Sequence, residues 1–314
     1  MSKIGFACQY MDAITKKNKF PLRSIQLTSF KELNVSQRDE KMKEVMIHNL
    51  LQTNLLINTV SFMPPERRML RLGSEILPFY TIFPSFYEDS EIKNIIETEF
   101  NKIGNIAREN NIRLSFHPGQ YTVLNSVKEN VWINAIRDIE YHTDMARMMG
   151  YEGDFHPYGF CINIHVGGKE GGLSNFRKNF DYLSEDAQDL LTVENDEYSF
   201  GVNDVLELSD LCPIVLDLHH HWVKENSYID IRDYRVSKII NSWCGKRPKI
   251  HMSQPHEKIY SNKDELPYLT ESITKGIARA HSDYMWNNKL NEYMLTFNNE
   301  FDIMIEAKMK NLAY

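Results

Sequence analysis

Eight short apolar runs, each separated from the next by a longer helical pattern, constrain this chain more than any other feature. The runs are KIGFAC (3–8), MLRLG (69–73), IRLSFH (112–117), CINIHV (161–166), LLTVEN (190–195), PIVLDL (213–218), PKIHMS (248–253) and DIMIEA (302–307). They are continuous rather than alternating, as strands covered on both faces should be. Between them, 37–59 places Met42, Val45, Met46, Leu50 and Leu51 on one helical face, and 91–110 does the same with Ile92, Ile95, Ile96, Phe100 and Ile103. Similar patterns cover roughly 128–149, 174–188, 202–210, 234–243 and 268–285. Strands alternating with helices require a parallel sheet. Eight such strands are the count of an α/β fold of the (β/α)8 TIM-barrel type. A six-stranded Rossmann sheet would have to discard two of them, and no GxGxxG follows the first run. Few residues follow the eighth run, so the last helix is expected to be missing. No Gly/Ser or Pro-rich linker and no internal repeat of roughly 20–50 residues interrupts the pattern, so 1–314 reads as a single barrel domain.

Composition narrows the function classes. Cys8, Cys161, Cys212 and Cys244 are far apart and form no CxxC pair, which argues against a thiolate zinc site and for reduced thiols. The opening MSKIGFACQYMDAITKKNK has no signal-peptide pattern, and no run is long enough to span a membrane. A cytoplasmic location is expected. The net charge of −7 argues against binding nucleic acid by charge alone, but carboxylates gathered around divalent ions would account for part of it. Local basic groups remain, such as Arg67, Arg68 and Arg71, and Lys246, Arg247 and Lys249.

Chemistry in a TIM barrel sits at the C-terminal strand ends. Here strand three ends in His117, strand four in His165, strand five in Glu194, and strand six in Asp217 followed by His219, His220 and His221. Strand seven carries His251, His281 precedes strand eight, and strand eight carries Glu306. A single strand-end histidine is ordinarily a hydrogen-bonded structural residue. Imidazoles and carboxylates from consecutive strands converging on one mouth instead predict a polynuclear site for Mn²⁺, Zn²⁺ or a similar ion. A central carboxylate such as Glu194 could bridge two ions, and close ions can activate water and stabilise the leaving oxygen of a phosphodiester. Within the HHH run, spacing favours His220 beside Asp217. His48, His142 and His156 receive no role.

These motifs resemble the UV damage endonuclease family, related in fold and metal chemistry to endonuclease IV. The stretches that carry the resemblance are FHPGQYTVLNS, INIHVGG, LTVENDE, VLDLHHHW, PKIHMSQP, HSDY and MIEAKMK, in the family's order over about 112–310. The resemblance implies an enzyme that nicks damaged double-stranded DNA immediately 5′ to pyrimidine dimers and some other lesions, leaving a 3′-hydroxyl and a 5′-phosphate. It implies Mn²⁺, or Zn²⁺ and other divalent ions in its place, two or three per chain, and a monomer. By position, His117, His165, Glu194, Asp217, His220, His251, His281 and Glu306 match the metal ligands. Lys249 matches a lysine that can be carboxylated and that tunes the site, so Lys249 and Glu194 are the expected catalytic residues. Gln120 and Tyr121 match a pair that wedges into the duplex opposite the lesion, where a poorly stacked dimer opens at lower cost than normal DNA.

Two departures stand out. The family has a histidine after strand two, whereas LRLGSEILPFYTIFP has none and Ile82 or a neighbour takes its place. The first-strand motif ends in an asparagine near the lesion, whereas GFACQY offers Gln9 or Tyr10. Two other readings use the same barrel: a divalent-metal sugar isomerase or epimerase, and an inactive damage-binding descendant. Residues 11–35 read as a polar loop.

Overall fold

A computed structural model describes residues 2–260 and 262–314. Eight parallel strands close into a barrel in chain order. They are β1 (Ile4–Ala7), β2 (Met69–Arg71), β3 (Arg113–Phe116), β4 (Cys161–His165), β5 (Leu191–Glu194), β6 (Ile214–Asp217), β7 (Lys249–Met252) and β8 (Asp302–Ile305). Closure is completed by β1 lying against β8, with Ile4 opposite Ile303 and Phe6 opposite Ile305. The expected TIM barrel is therefore the fold.

The helices are α1 (Leu27–Lys31), α2 (Val35–Ser61), α3 (Pro84–Tyr87), α4 (Ser90–Glu109), α5 (Glu129–Met148), α6 (Gly172–Phe180), α7 (Glu185–Leu190), α8 (Val202–Val205), α9 (Leu218–Glu225), α10 (Tyr234–Ser242), α11 (Lys275–Ala278) and α12 (Asn288–Leu295). Capping sets several starts. Asn34 and Gln37 form a capping box on α2, and the Asp89 carboxylate accepts from the first turn of α4. The buried stripe of α2, including Met42, Met46, Leu50, Ile57 and Val60, packs into the same core as Ile92, Ile96, Phe100 and Ile103 of α4. Gly104 of α4 permits a close approach to the end of α5, since a Cβ would lie 1.9 Å from the Met149 carbonyl oxygen.

Three helix expectations are corrected. The 174–188 pattern is two helices, because the Ser184 hydroxyl restarts the chain by accepting from Ala187 N–H. The 202–210 pattern is one short α-turn followed by a 3-10 turn at Leu206–Leu208. The 268–285 pattern is mostly irregular, and the helix before β8 is α12. The reason is tertiary: Ser282 N–H donates to the Gln254 carbonyl and Lys308 N–H to the Ser282 carbonyl, so this segment is consumed by pairing across the barrel rim. As expected, only a 3-10 turn, Lys310–Leu312, follows β8. The stretch 11–35, expected as a loop, in fact contains α1 and the first residue of α2, and its loop part is held by Asn49 of α2, whose amide oxygen accepts from Arg23 N–H at 2.7 Å.

The basic groups singled out in the sequence are mostly committed to the structure. Arg67 donates to the Tyr314 carbonyl, Arg68 to those of Met63 and Asn110, and Lys246 pairs with Asp154. Asp302 anchors the floor of the barrel. Its carboxylate accepts from Lys3 N–H at 2.8 Å, Arg113 at 2.8 Å and Arg247 at 2.9 Å, and both Arg113 and Asp302 are buried. Removing one member of a buried pair strands the other charge, so Asp302→Ala is expected to cost about 3–5 kcal/mol in urea unfolding. A cost below about 1 kcal/mol would mean that this pair does not hold the floor together.

Candidate metal centre

Strand periodicity places the site. Alternate residues face the barrel interior, so the last inward position of each strand lies at the C-terminal mouth. Glu194, at the end of β5, is the centre of what gathers there. Its Oε2 lies 3.3 Å from His117 Nε2 and 3.1 Å from His251 Nδ1, while its Oε1 lies 3.4 Å from His220 Nδ1. The two oxygens of one carboxylate thus face two histidine sets. The rings of His117 and His165 are 5.3 Å apart, and those of His165 and His220 are 5.5 Å apart.

Three groups have ligand atoms that all lie within 4.8 Å of one another: His117–Glu194–His251, His165–Glu194–His220 and Asp217–His251–Glu306. These use seven of the eight residues expected as ligands. His281 lies outside them but adjoins Glu306, donating from Nδ1 to its carbonyl at 2.8 Å. It is aligned there by its bridge to Pro255.

Neighbouring groups aim the ligands. A carbonyl oxygen can only accept, so Nδ1 of His117, 3.0 Å from the Pro118 carbonyl, carries the proton and Nε2 keeps its lone pair. His281 is fixed in the same way. Asp217 caps α9: its Oδ1 accepts from His220 N–H at 2.7 Å, and this turn carries the His220 ring to the mouth. Its Oδ2 is left unpaired. The flanking histidines of the run turn elsewhere. His219 stacks near Trp222, and burial together with the charge of Arg235 pushes His221 down to about 4.

The donor set fits metal. Glu194 Oε1, Asp217 Oδ2, His165 Nδ1 and both ring nitrogens of His251 are buried with no hydrogen-bond partner among the described residues. Such orphaned atoms are costly unless something binds them. The charges tell the same story. Burial raises Asp217 well above the usual carboxylate range, against the pull of His220, and the Glu194 and Glu306 carboxylates raise it further. Glu194 is held well below that range by His251, His117 and His220 despite its burial. Burial opposes charge on His220, yet Asp217 and Glu194 hold it well above the usual histidine value.

The other expected residues are placed as follows. Lys249 is buried, and its Nζ donates to Cys161 Sγ at 3.1 Å. It lies two residues before His251 on the same face of β7. Gln120 and Tyr121 occupy the tip of the loop after β3, with Tyr121 84% exposed. The base of that loop is tied down by a Thr122–Asp138 hydrogen bond. Gln9 is exposed, whereas the Tyr10 ring packs against Phe6 and Phe20. Ile82, in the segment without a histidine, is half exposed. His142 and His156 are buried on backbone carbonyls, and His48 is held by the Pro21 carbonyl.

Sequence reasoning missed several supports. Asn163 donates to Glu194 and is itself held by Thr192 at 2.9 Å. Asn195 clasps the backbone of Asp217 through 2.9 and 3.0 Å bonds. Arg71 forms an ion pair with Glu306, and Glu197 lies 3.7 Å from His220 Nε2. Asn163 was findable, since it shares the inward face of β4 with His165.

The family model UV-endonuclease UvdE matches residues 2–314. A UV DNA damage endonuclease of Bacillus mycoides (strain KBAB4) is 30% identical, with 93% of this chain and 87% of the relative covered. One from Bacillus cereus (strain B4264) matches equally, at 30% identity over the same shares. The crystal structure of SacUVDE superposes with a TM-score of 0.75 at 28% identity, covering 100% of this chain and 95% of that one.

Because burial raises Asp217 and the neighbouring carboxylates raise His220, the pair favours a bound proton that a metal must displace, and Mn²⁺ or Zn²⁺ binding should release protons and weaken as pH falls. Calorimetry in buffers of different ionisation enthalpy would register this. An affinity independent of pH would remove these residues from the ligand set.

Proposed function

Because the chain belongs to the UV-endonuclease UvdE family, we propose that it cuts damaged double-stranded DNA immediately 5′ to UV photoproducts, leaving a 3′-hydroxyl and a 5′-phosphate. The family makes it a DNA endonuclease of repair. The site of the cut, the lesion and the ions are our reading. The observation that carries it is Glu194, a buried carboxylate whose two oxygens face separate histidine sets.

His117, His165, Glu194, Asp217, His220, His251 and Glu306 would hold two or three divalent ions, with Mn²⁺ favoured and Zn²⁺ or another divalent ion able to substitute. His281 would complete the set beside Glu306. Such ions lower the pKa of water and offset charge on a departing 3′ oxygen. The protein's own part is positional. Asn163 and Asn195 fix Glu194 and Asp217, and backbone carbonyls set the tautomers of His117 and His281. Lys249 adds a positive charge beneath the ligands, and its burial lowers the cost of losing a proton.

Tyr121 and Gln120 suit a wedge. An aromatic left this exposed at the tip of an anchored loop gains apolar contact only from a partner, and an unstacked base pair offers that surface. Around the mouth, exposed Lys16, Lys17, Lys19, Lys169, Lys258 and Lys263 lie on loops that follow strand ends, where phosphates would approach. Gln9 lies on the same rim. Tyr10, packed inward, would support it from behind. We further read the barrel as one catalytic unit acting as a monomer. Among the described residues, no helix is long and apolar enough to cross a membrane.

The decisive assay is gel nicking of a duplex with one thymine dimer, beside undamaged and abasic controls, with Mn²⁺, Zn²⁺ or EDTA. A metal-dependent cut just 5′ to the dimer is expected. Cutting only at the abasic site would move the substrate, and no cut by metal-loaded protein would overturn the reading. Glu194→Gln should lower nicking by several orders of magnitude, and near-normal activity would sink the role given to Glu194. Tyr121→Ala should weaken binding to damaged duplex about ten- to a hundredfold while leaving thermal stability unchanged, because the ring has little protein contact to lose.

A further inference from the structure

The chain after β8 crosses the rim of the mouth instead of forming a helix, and it is held from several sides. Met309 N–H donates to the Asp283 carbonyl at 3.0 Å. The Asn311 amide takes both backbone groups of Met11, accepting from its N–H at 2.6 Å and donating to its carbonyl at 3.1 Å. The Tyr314 hydroxyl reaches the Ile4 carbonyl. Inside this clamp Lys310 adopts φ 53°. A residue with a Cβ is disfavoured there, and such conformations persist where the surroundings impose them, often at functional sites.

The Lys310 side chain is half-buried, and Cys8, Arg71 and Glu306 are near enough to act on its charge electrostatically. Arg71 is already paired with Glu306. That leaves the Lys310 ammonium with no hydrogen bond or ion pair among the described residues, beside a second cation and partly withdrawn from water. Arg71 already answers the Glu306 carboxylate, so at this corner Lys310 is a cation in addition to that pair. The corner also adjoins the end of β2, the strand that brings no histidine to the centre.

We propose that Lys310 is a ligand for a backbone phosphate of the bound duplex, its ammonium and the adjoining Arg71 forming a protein-built cationic subsite on the β8–β1–β2 side of the centre. This rests on the nuclease reading. Arg71 fixes Glu306 and cannot turn away without freeing a buried carboxylate. Lys310 has no internal duty and is free to meet an incoming anion. The imposed backbone holds the root of its side chain at the rim, where a helix after β8 would have carried it away.

The test measures binding of the metal-loaded protein to a dimer-containing duplex across a salt series. The protein is the wild type, Lys310→Met and Lys310→Arg. The methionine keeps the stem and removes the charge. Its slope of log affinity against log salt should be shallower by about 0.9, the contribution of one phosphate contact. Metal content and thermal midpoint should match the wild type, and arginine should restore the slope. An unchanged slope for Lys310→Met, with the wild type binding normally, would overturn this proposal alone. So would a slope change accompanied by loss of metal or of stability, which would make Lys310 a structural residue. A wild type that binds no duplex would overturn the nuclease reading and this subsite with it.

Discussion

The organisation of the mouth depends on a single buried charge, the carboxylate of Glu194. It sits where burial alone would favour the neutral acid, and it remains ionised because His117, His220 and His251 surround it. Each of those rings comes from a different part of the chain, so the carboxylate can be satisfied only when β3, α9 and β7 are all in place. The neighbouring Asp217 responds in the opposite sense, its pKa raised by burial against the pull of His220. Acids so close together cannot all be charged without cations between them. Divalent ions between these acids would offset that repulsion.

Stability and function are placed at opposite ends of the same barrel. At the floor, Asp302 accepts from Lys3, Arg113 and Arg247, so these charges are balanced internally. At the mouth, the polar atoms of Glu194, Asp217, His165 and His251 are left without partners. The conspicuous basic cluster at Arg67 and Arg68 is, like the floor charges, spent on the structure. Its guanidinium groups close off carbonyls around the β2 entry. Exposed lysines on loops after the strands have no such engagement and surround the site instead.

The missing strand-two histidine changes how one corner of the centre is built. Arg71, on that strand, sends a permanent cation to Glu306. A guanidinium cannot activate water as a metal can, but it neutralises a carboxylate and cannot be titrated away. His281 meanwhile holds the backbone carbonyl of the same residue, so side chain and main chain of Glu306 each have a protein partner.

The sequence by itself determined the barrel and most of the side chains gathered at its mouth. Both follow from local rules: apolar runs covered on two faces make parallel strands, and a ligand at the end of each strand must reach the mouth once the barrel closes. His220 could be singled out from its run because Asp217 caps the helix that follows. Tertiary structure alone decided the rest. The segment 268–285 has a helical pattern, yet its Ser282 backbone pairs with Gln254 and Lys308, residues far away in sequence. Arg71 and Lys249 are both ordinary basic residues in the sequence. One becomes the partner of Glu306 and the other the buried neighbour of Cys161 because strand register, fixed only on closure, decides which distant side chain each one meets. Asn195 and Asn163 acquire their roles in the same way, since a hydrogen bond between strands has no signature in either strand alone.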